Sequence, residues 1–154
     1  MEKMKPIDKK ILKLIQEENL CVPRVTKIAH KLGLPTSTVH ERLNKMKKFG
    51  VIKGYTAILD PEKLDKGFVA FVFGQMKLGE KSDLEAAAGK LAKIPEVQEV
   101  YFIAGEWDYI VKLRVKDKNE YYKKVQEVVK CFEVRGQGII TIKHIKDTFK
   151  FPIE

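Results

Sequence analysis

The apolar positions of the first fifty residues recur at helical spacing. Ile7, Ile11, Leu14 and Ile15 form one stripe, which predicts a helix from about Asp8 to Glu18 with Asp8 as its N-cap and Pro6 just ahead. Asn19 to Pro23 breaks the period. Val25, Ile28, Ala29 and Leu32 predict a second, shorter helix, ended by Gly33, the residue best suited to the left-handed conformation of a helix C-terminus. After Leu34-Pro35, the stripe Val39, Leu43, Met46 predicts a third helix from about Thr36 to Phe49, stopped by Gly50. Val51 to Leu59 alternates and reads as a strand, and Asp60-Pro61 opens a linker that ends near Gly67.

Beyond Gly67 the period changes. Phe68 to Leu78 reads as a strand, Ser82 as the cap of a helix over about Asp83 to Lys93, and Val97 to Ala104 as a second strand. Gly105-Glu106-Trp107 is a tight connection into a third strand, Asp108 to Val115. Asn119 opens a helix to about Cys131. Gly136-Gln137-Gly138 reads as a turn before a last strand around Ile139 to Ile145. The order β-α-β-β-α-β is the split βαβ, or ferredoxin-like, arrangement. Its helices cover only one sheet face, yet Phe68 to Phe73 is apolar on both. That predicts a homodimer formed sheet to sheet.

Charge sharpens this picture. Residues 1–60 carry 13 Lys/Arg against 6 Asp/Glu, a surplus of 7; residues 61–154 carry 17 against 15, a surplus of 2. The chain divides on this reading at residue 60. A basic segment, 1–60, precedes a nearly neutral one, 61–154, as expected for a polyanion-binding module joined to a second domain. Three short helices with a Gly-containing turn between the second and third outline a helix-turn-helix, whose third helix would enter the major groove of DNA. Opposite its apolar stripe this helix carries Ser37, Glu41, Asn44 and Lys48, flanked by Thr38, His40 and Lys45. Short polar groups read base edges or phosphates, and lysines neutralise phosphates. Arg24, Lys27 and Lys31 are placed to contact the backbone. Glu41 reads in three ways: an acceptor for a cytosine amino group, an i,i+4 partner of Lys45, or a charge against wrong sequences.

These residues resemble a known family. Asp8-Lys9-Lys10-Ile11-Leu12, Ile28-Ala29, Leu32-Gly33-Leu34, Val39-x-x-Arg42-Leu43-x-x-Met46 and Gly50-Val51-Ile52-Lys53-Gly54-Tyr55 are similar to the N-terminal domain of the Lrp/AsnC, or feast/famine, transcription regulators. Ala104-Gly105-Glu106-Trp107-Asp108-Tyr109 resembles the Gly-x-x-Asp turn of the family's ligand-sensing domain. The resemblance implies an α+β protein: an N-terminal winged helix-turn-helix followed by a ferredoxin-like βαββαβ (RAM) domain. It implies sheet-to-sheet dimers that assemble into octamers or larger discs. It also implies an amino-acid effector bound beside the turn, with Gly105 and Asp108 in the site, Glu106 and Trp107 within the turn, and Thr141 on the last strand near the ligand. One departure stands out. Where the family commonly caps the recognition helix with Ser, this chain has Pro35, so Thr36, Ser37 or Thr38 would have to cap, the last through Thr38-x-x-Glu41.

The remaining chemistry is sparse. The longest apolar run is far below the roughly 20 residues of a membrane helix, and Met1 to Lys5 has no apolar signal region, so a cytoplasmic protein without a membrane partner is expected. Cys21 and Cys131 form no C-x-x-C pair, and His30, His40 and His144 have no metal-ligand spacing, so no metal is expected. Neither a phosphate-binding glycine loop nor a nucleophile elbow is present, and no cofactor beyond the effector is expected. The reading is therefore a sequence-specific, effector-responsive transcription regulator rather than an enzyme. A nucleoid-like protein that wraps DNA with weak sequence choice is the alternative.

Overall fold

In a computed structural model of the chain, residues 6–18, 21–76, 81–131, 135–146, 148 and 152 are described. They fall into two compact units, Met1–Leu59 and Asp60–Glu154.

The first unit is helical: α1 is Pro6–Glu17, α2 is Val25–Leu32 and α3 is Thr36–Lys48. Pro6 takes the first helical position, which suits a residue without an amide hydrogen, so Asp8 lies inside the first turn rather than capping it. There its carboxylate faces the positive end of the helix dipole. The α1 stripe of Ile7, Ile11 and Leu14 remains exposed, and α1 buries none of its residues. The turn between α2 and α3 closes as the sequence suggests. Gly33 adopts φ 63°, its amide donates to the His30 carbonyl and the Leu34 amide donates to that of Ala29. Ala29 and Val39 are buried, Val25, Ile28 and Leu43 half-buried, and Leu32 and Met46 exposed.

Val51 to Leu59 departs from expectation. Ile52, Tyr55, Ala57 and Leu59 are half-buried between exposed neighbours, yet the segment belongs to no strand. Alternation specifies a face, whereas a strand also needs a partner for its backbone groups, and none pairs with this segment among the described residues. Its start is tied to α3 by the Ile52 amide, which donates to the Met46 carbonyl, and by Lys47, whose ammonium lies 4.7 Å from the Tyr55 ring centre.

The second unit is the β-α-β-β-α-β arrangement. After a 3-10 turn at Glu62–Leu64 come β1 (Phe68–Gln75), α4 (Lys81–Leu91), β2 (Val97–Phe102), β3 (Tyr109–Val115), α5 (Lys118–Val129) and β4 (Arg135–Ile140). The sheet order is β2-β3-β1-β4, with every neighbouring pair antiparallel. One face carries the core: Ala70, Val72, Leu91, Tyr109, Val111, Leu113, Val115, Tyr121 and Val128. The other face carries rows of opposed residues, Tyr101-Ile110-Phe73-Gln137 and Glu99-Lys112-Phe71-Ile139. Thus β1 is apolar toward both faces, as its sequence indicates.

Several boundaries shift for local reasons. Lys81 opens α4, one residue ahead of the expected cap Ser82. Asp117, not Asn119, caps α5, its carboxylate accepting from the Asn119 and Glu120 amides at 2.9 Å each. The last strand spans Arg135–Ile140, so residues 141–145 lie beyond it and the Gly136-Gln137-Gly138 segment is strand, not turn. The glycine at 138 has a packing reason. A Cβ there would collide with the hydroxyl of Tyr121, which α5 lays across β4. No described helix is long and apolar enough to cross a membrane.

Candidate nucleic-acid interface and effector turn

Pro35 is the N-cap of α3, with extended backbone and no side-chain capping bond, so Thr36, Ser37 and Thr38 are helical and none of them caps. The Val39 amide is the first to bond back, to the Pro35 carbonyl at 3.2 Å, which leaves the preceding amides of the turn without an intrahelical acceptor. Ser37, His40, Glu41, Asn44, Lys45 and Lys48 are exposed and Thr38 is half-buried. The hydrophilic side of α3 is therefore not folded into the protein's own body. Arg24, at the N-cap of α2, and Lys27 and Lys31 on α2 are exposed as well.

Two contacts organise this face. The Asn44 amide nitrogen donates to His40 Nδ1 at 3.3 Å. Lys45 Nζ lies 2.7 Å from Glu41 Oε1, so of the three readings of Glu41 the i,i+4 pair is present. The hydrogen bond and charge of Lys45 hold the Glu41 carboxyl below its ordinary range.

The turn between β2 and β3 lies against the end of β1 and the start of β4. Gly105 adopts φ 148°, a conformation that side-chain-bearing residues rarely take. Asp108 is anchored by its backbone, whose amide donates to the Gly74 carbonyl and whose carbonyl accepts from Ile103. Its carboxylate oxygen Oδ2 accepts the Met76 amide at 2.7 Å, fixing the end of β1. This is a structural engagement that G-x-x-D spacing does not reveal. Glu106 faces outward, paired with Arg135 Nη2 at 2.5 Å, while its carbonyl accepts from the Gln75 side chain. The Arg135 guanidinium lies 4.4 Å from the centre of the Trp107 ring, which in turn sits 6.0 Å from Phe73.

The structure thus gathers Gly105, Glu106, Trp107 and Asp108, and adds Phe73, Gln75 and Arg135, which the sequence reading passed over. Antiparallel pairing of β1 with β4 sets Gln75 opposite Arg135, so a register drawn from the topology would have found them. Thr141 is not brought to this cluster within one chain. Its amide donates to the Val69 carbonyl, at the far end of β1, roughly 20 Å away at strand spacing.

A helix-turn-helix with an exposed polar third helix, followed by a ferredoxin-like sheet with a pinned β2-β3 turn, has the form of a DNA-binding module joined to a second, α+β domain. Comparison with known proteins agrees. Residues 4–53 match the winged helix-turn-helix DNA-binding family and residues 69–136 the Lrp/AsnC ligand binding domain. The chain is 38% identical over 149 residues to the HTH-type transcriptional regulator FL11 of Pyrococcus horikoshii, covering 96% of this chain and 95% of that one. Among solved structures, an AsnC family transcriptional regulator from Agrobacterium tumefaciens superposes with TM-score 0.78 at 29% identity, covering 97% of each chain. The Neisseria meningitidis regulator NMB0573, crystallised as an L-Met complex, superposes with TM-score 0.76 at 25% identity, covering 97% of this chain and 96% of that one. The protein belongs to the Lrp/AsnC family of transcriptional regulators.

Proposed function

We propose that this regulator reads specific DNA sequences through α3 and that an amino acid bound at the Gly105–Asp108 turn alters its assembly or its DNA affinity. The observation that carries the DNA reading is the exposed side of α3, with Ser37, Thr38 and Asn44 toward the base edges and Lys45 and Lys48 toward phosphates. Arg24 and Lys27 add backbone contacts, and the amide-rich start of α3 offers a further phosphate position. His40 and Glu41 set the rotamers of Asn44 and Lys45 through the contacts described above. The Glu41–Lys45 pair is exposed, so Lys45 exchanges between Glu41 and a phosphate.

The protein works as a dimer joined through the open sheet face, where Phe71, Phe73, Ile110 and Ile139 lie in adjacent register. Two α3 helices related by a twofold axis then read an approximately palindromic site, with half-sites about one helical turn apart. Dimers assemble further, to octamers or larger. An effector between dimers shifts this equilibrium only by binding one assembly more tightly than another. Such an interdimer position also allows Thr141 of one chain to approach the turn of another. The L-Met complex of the Neisseria relative supports an amino acid as ligand class.

The test is selection from a random-sequence pool, followed by competition between the selected site and random DNA at fixed salt. A preference of at least a thousandfold is expected. Equal affinity would instead mean backbone-dominated binding without sequence choice. A mass measurement in solution, with and without each of the twenty amino acids, tests the effector.

A further inference from the structure

We propose that Arg135 and Glu106 form the clamp for a zwitterionic ligand. Arg135 takes the α-carboxylate, Glu106 takes the α-ammonium, and the two hold each other while the site is empty. This deepens the reading of the 105–108 turn as the effector site and rests on it.

The geometry assigns these roles by elimination and by fit. The Asp108 carboxylate, the acidic group that the family resemblance places in the site, is turned back onto the Met76 amide at 2.7 Å. Glu106 is the acidic side chain of the turn that faces outward, at 68% exposure. Arg135 stands 2.5 Å from it, 54% exposed, at the start of the neighbouring strand β4. Three contacts hold the pair in place. The guanidinium is stacked 4.4 Å over the Trp107 ring, Trp107 leans on Phe73, and the Gln75 side chain donates to the Glu106 carbonyl. A planar guanidinium held against an aromatic ring is pre-organised for a carboxylate, which it meets with two parallel N–H donors.

An ion pair this open to water gains little from being closed and exchanges readily. A free α-amino acid carries one carboxylate and one ammonium on a single carbon. Entering between the two side chains, it replaces one charge pair by two, whereas a ligand with only one of those charges leaves one protein charge without a partner. The clamp therefore selects zwitterions and leaves discrimination among their side chains to the surrounding residues. Trp107, lying under Arg135, registers the exchange.

The experiment uses the fluorescence of Trp107, the single tryptophan of the chain. Full-length protein is titrated with each of the twenty amino acids. The tightest binder is then compared with its methyl ester, which lacks the carboxylate charge, and its deaminated acid, which lacks the ammonium. Arg135→Gln is expected to weaken the amino acid about tenfold or more while leaving the ester within about twofold of the parent value, and Arg135→Lys to recover part of the loss. Glu106→Gln is expected to weaken the amino acid and spare the deaminated acid. If Arg135→Gln weakens acid and ester equally, or neither, the clamp is wrong. If Gly105→Val abolishes binding while both clamp variants keep parental affinity, the clamp falls and the effector turn stands. If no amino acid binds the parent protein, the effector reading fails and the clamp with it.

Discussion

Removing the Asp108 side chain separates what holds the 105–108 turn from what would hold the proposed effector. The Asp108 carboxylate accepts the Met76 amide at 2.7 Å in a half-buried position where β1 ends. Asp108→Ala leaves that amide without its acceptor. Hydrogen bonds to charged groups contribute about 1.5–3 kcal/mol, and the loss is largest where water replaces the partner poorly. For a unit of this size each kcal/mol moves the melting temperature by about 4–8 °C, so Asp108→Ala should lower it by about 6–24 °C. Asp108→Asn keeps an acceptor oxygen in nearly the same place and should cost less than half as much. Thermal unfolding of the full chain, followed by circular dichroism and by Trp107 fluorescence, measures both variants. The fluorescence transition should move with the larger shift because Trp107 adjoins the perturbed residue. If Asp108→Ala melts within about 2 °C of the parent, the bond to Met76 does not anchor the turn. Asp108 would then be available to a ligand.

Other consequences follow from packing, charge and the polar face of α3. Gly138→Ala places a methyl group on the Tyr121 hydroxyl and should destabilise by about 1–3 kcal/mol in urea unfolding; Tyr121→Phe in the same chain should restore most of the loss, since it removes the colliding oxygen. The Glu120 carboxyl is held below its usual value of 4.5, first by the Lys116 amide at 2.5 Å and then by Lys66. A depressed folded-state value contributes stability that is present above about pH 4.5 and is lost as the pH falls through the lower folded value, so Glu120→Gln should flatten the acid limb of a stability profile as the pH falls below about 4.5. On α3, Ser37→Ala and Asn44→Ala should change the sequence enriched from a random pool while leaving salt dependence alone; an unchanged consensus would remove these residues from base readout.

Much of this architecture is legible in the sequence because periodicity fixes which side of an element is buried. The stripe Val39, Leu43, Met46 located the outward side of α3, and the two-sided apolar character of β1 located the open face of the sheet. What periodicity omits is the identity of the partner. Val51–Leu59 alternates as a strand does, but no segment among the described residues pairs with it as a neighbouring strand. The α1 stripe is equally clear and remains uncovered. Glycine is ambiguous for a related reason. Gly136 and Gly138 read as a turn, whereas Gly138 makes room inside a strand for Tyr121, seventeen positions back along the chain. The family resemblance likewise placed Asp108 in the ligand site without showing that its carboxylate turns inward, and it passed over Arg135, which only the β1-β4 register brings beside Glu106. In each case the missing information is a contact between residues distant in sequence.

The exposed polar side of α3 is tested most directly by the salt dependence of DNA binding in a Lys45→Ala, Lys48→Ala double variant. Each phosphate that is no longer neutralised should reduce the slope of log affinity against log salt by about 0.9. The slope is expected to be shallower by nearly two for each α3 helix engaged, with weakened binding to selected and random DNA alike. A parental slope would place α3 away from the DNA backbone and contradict that expectation.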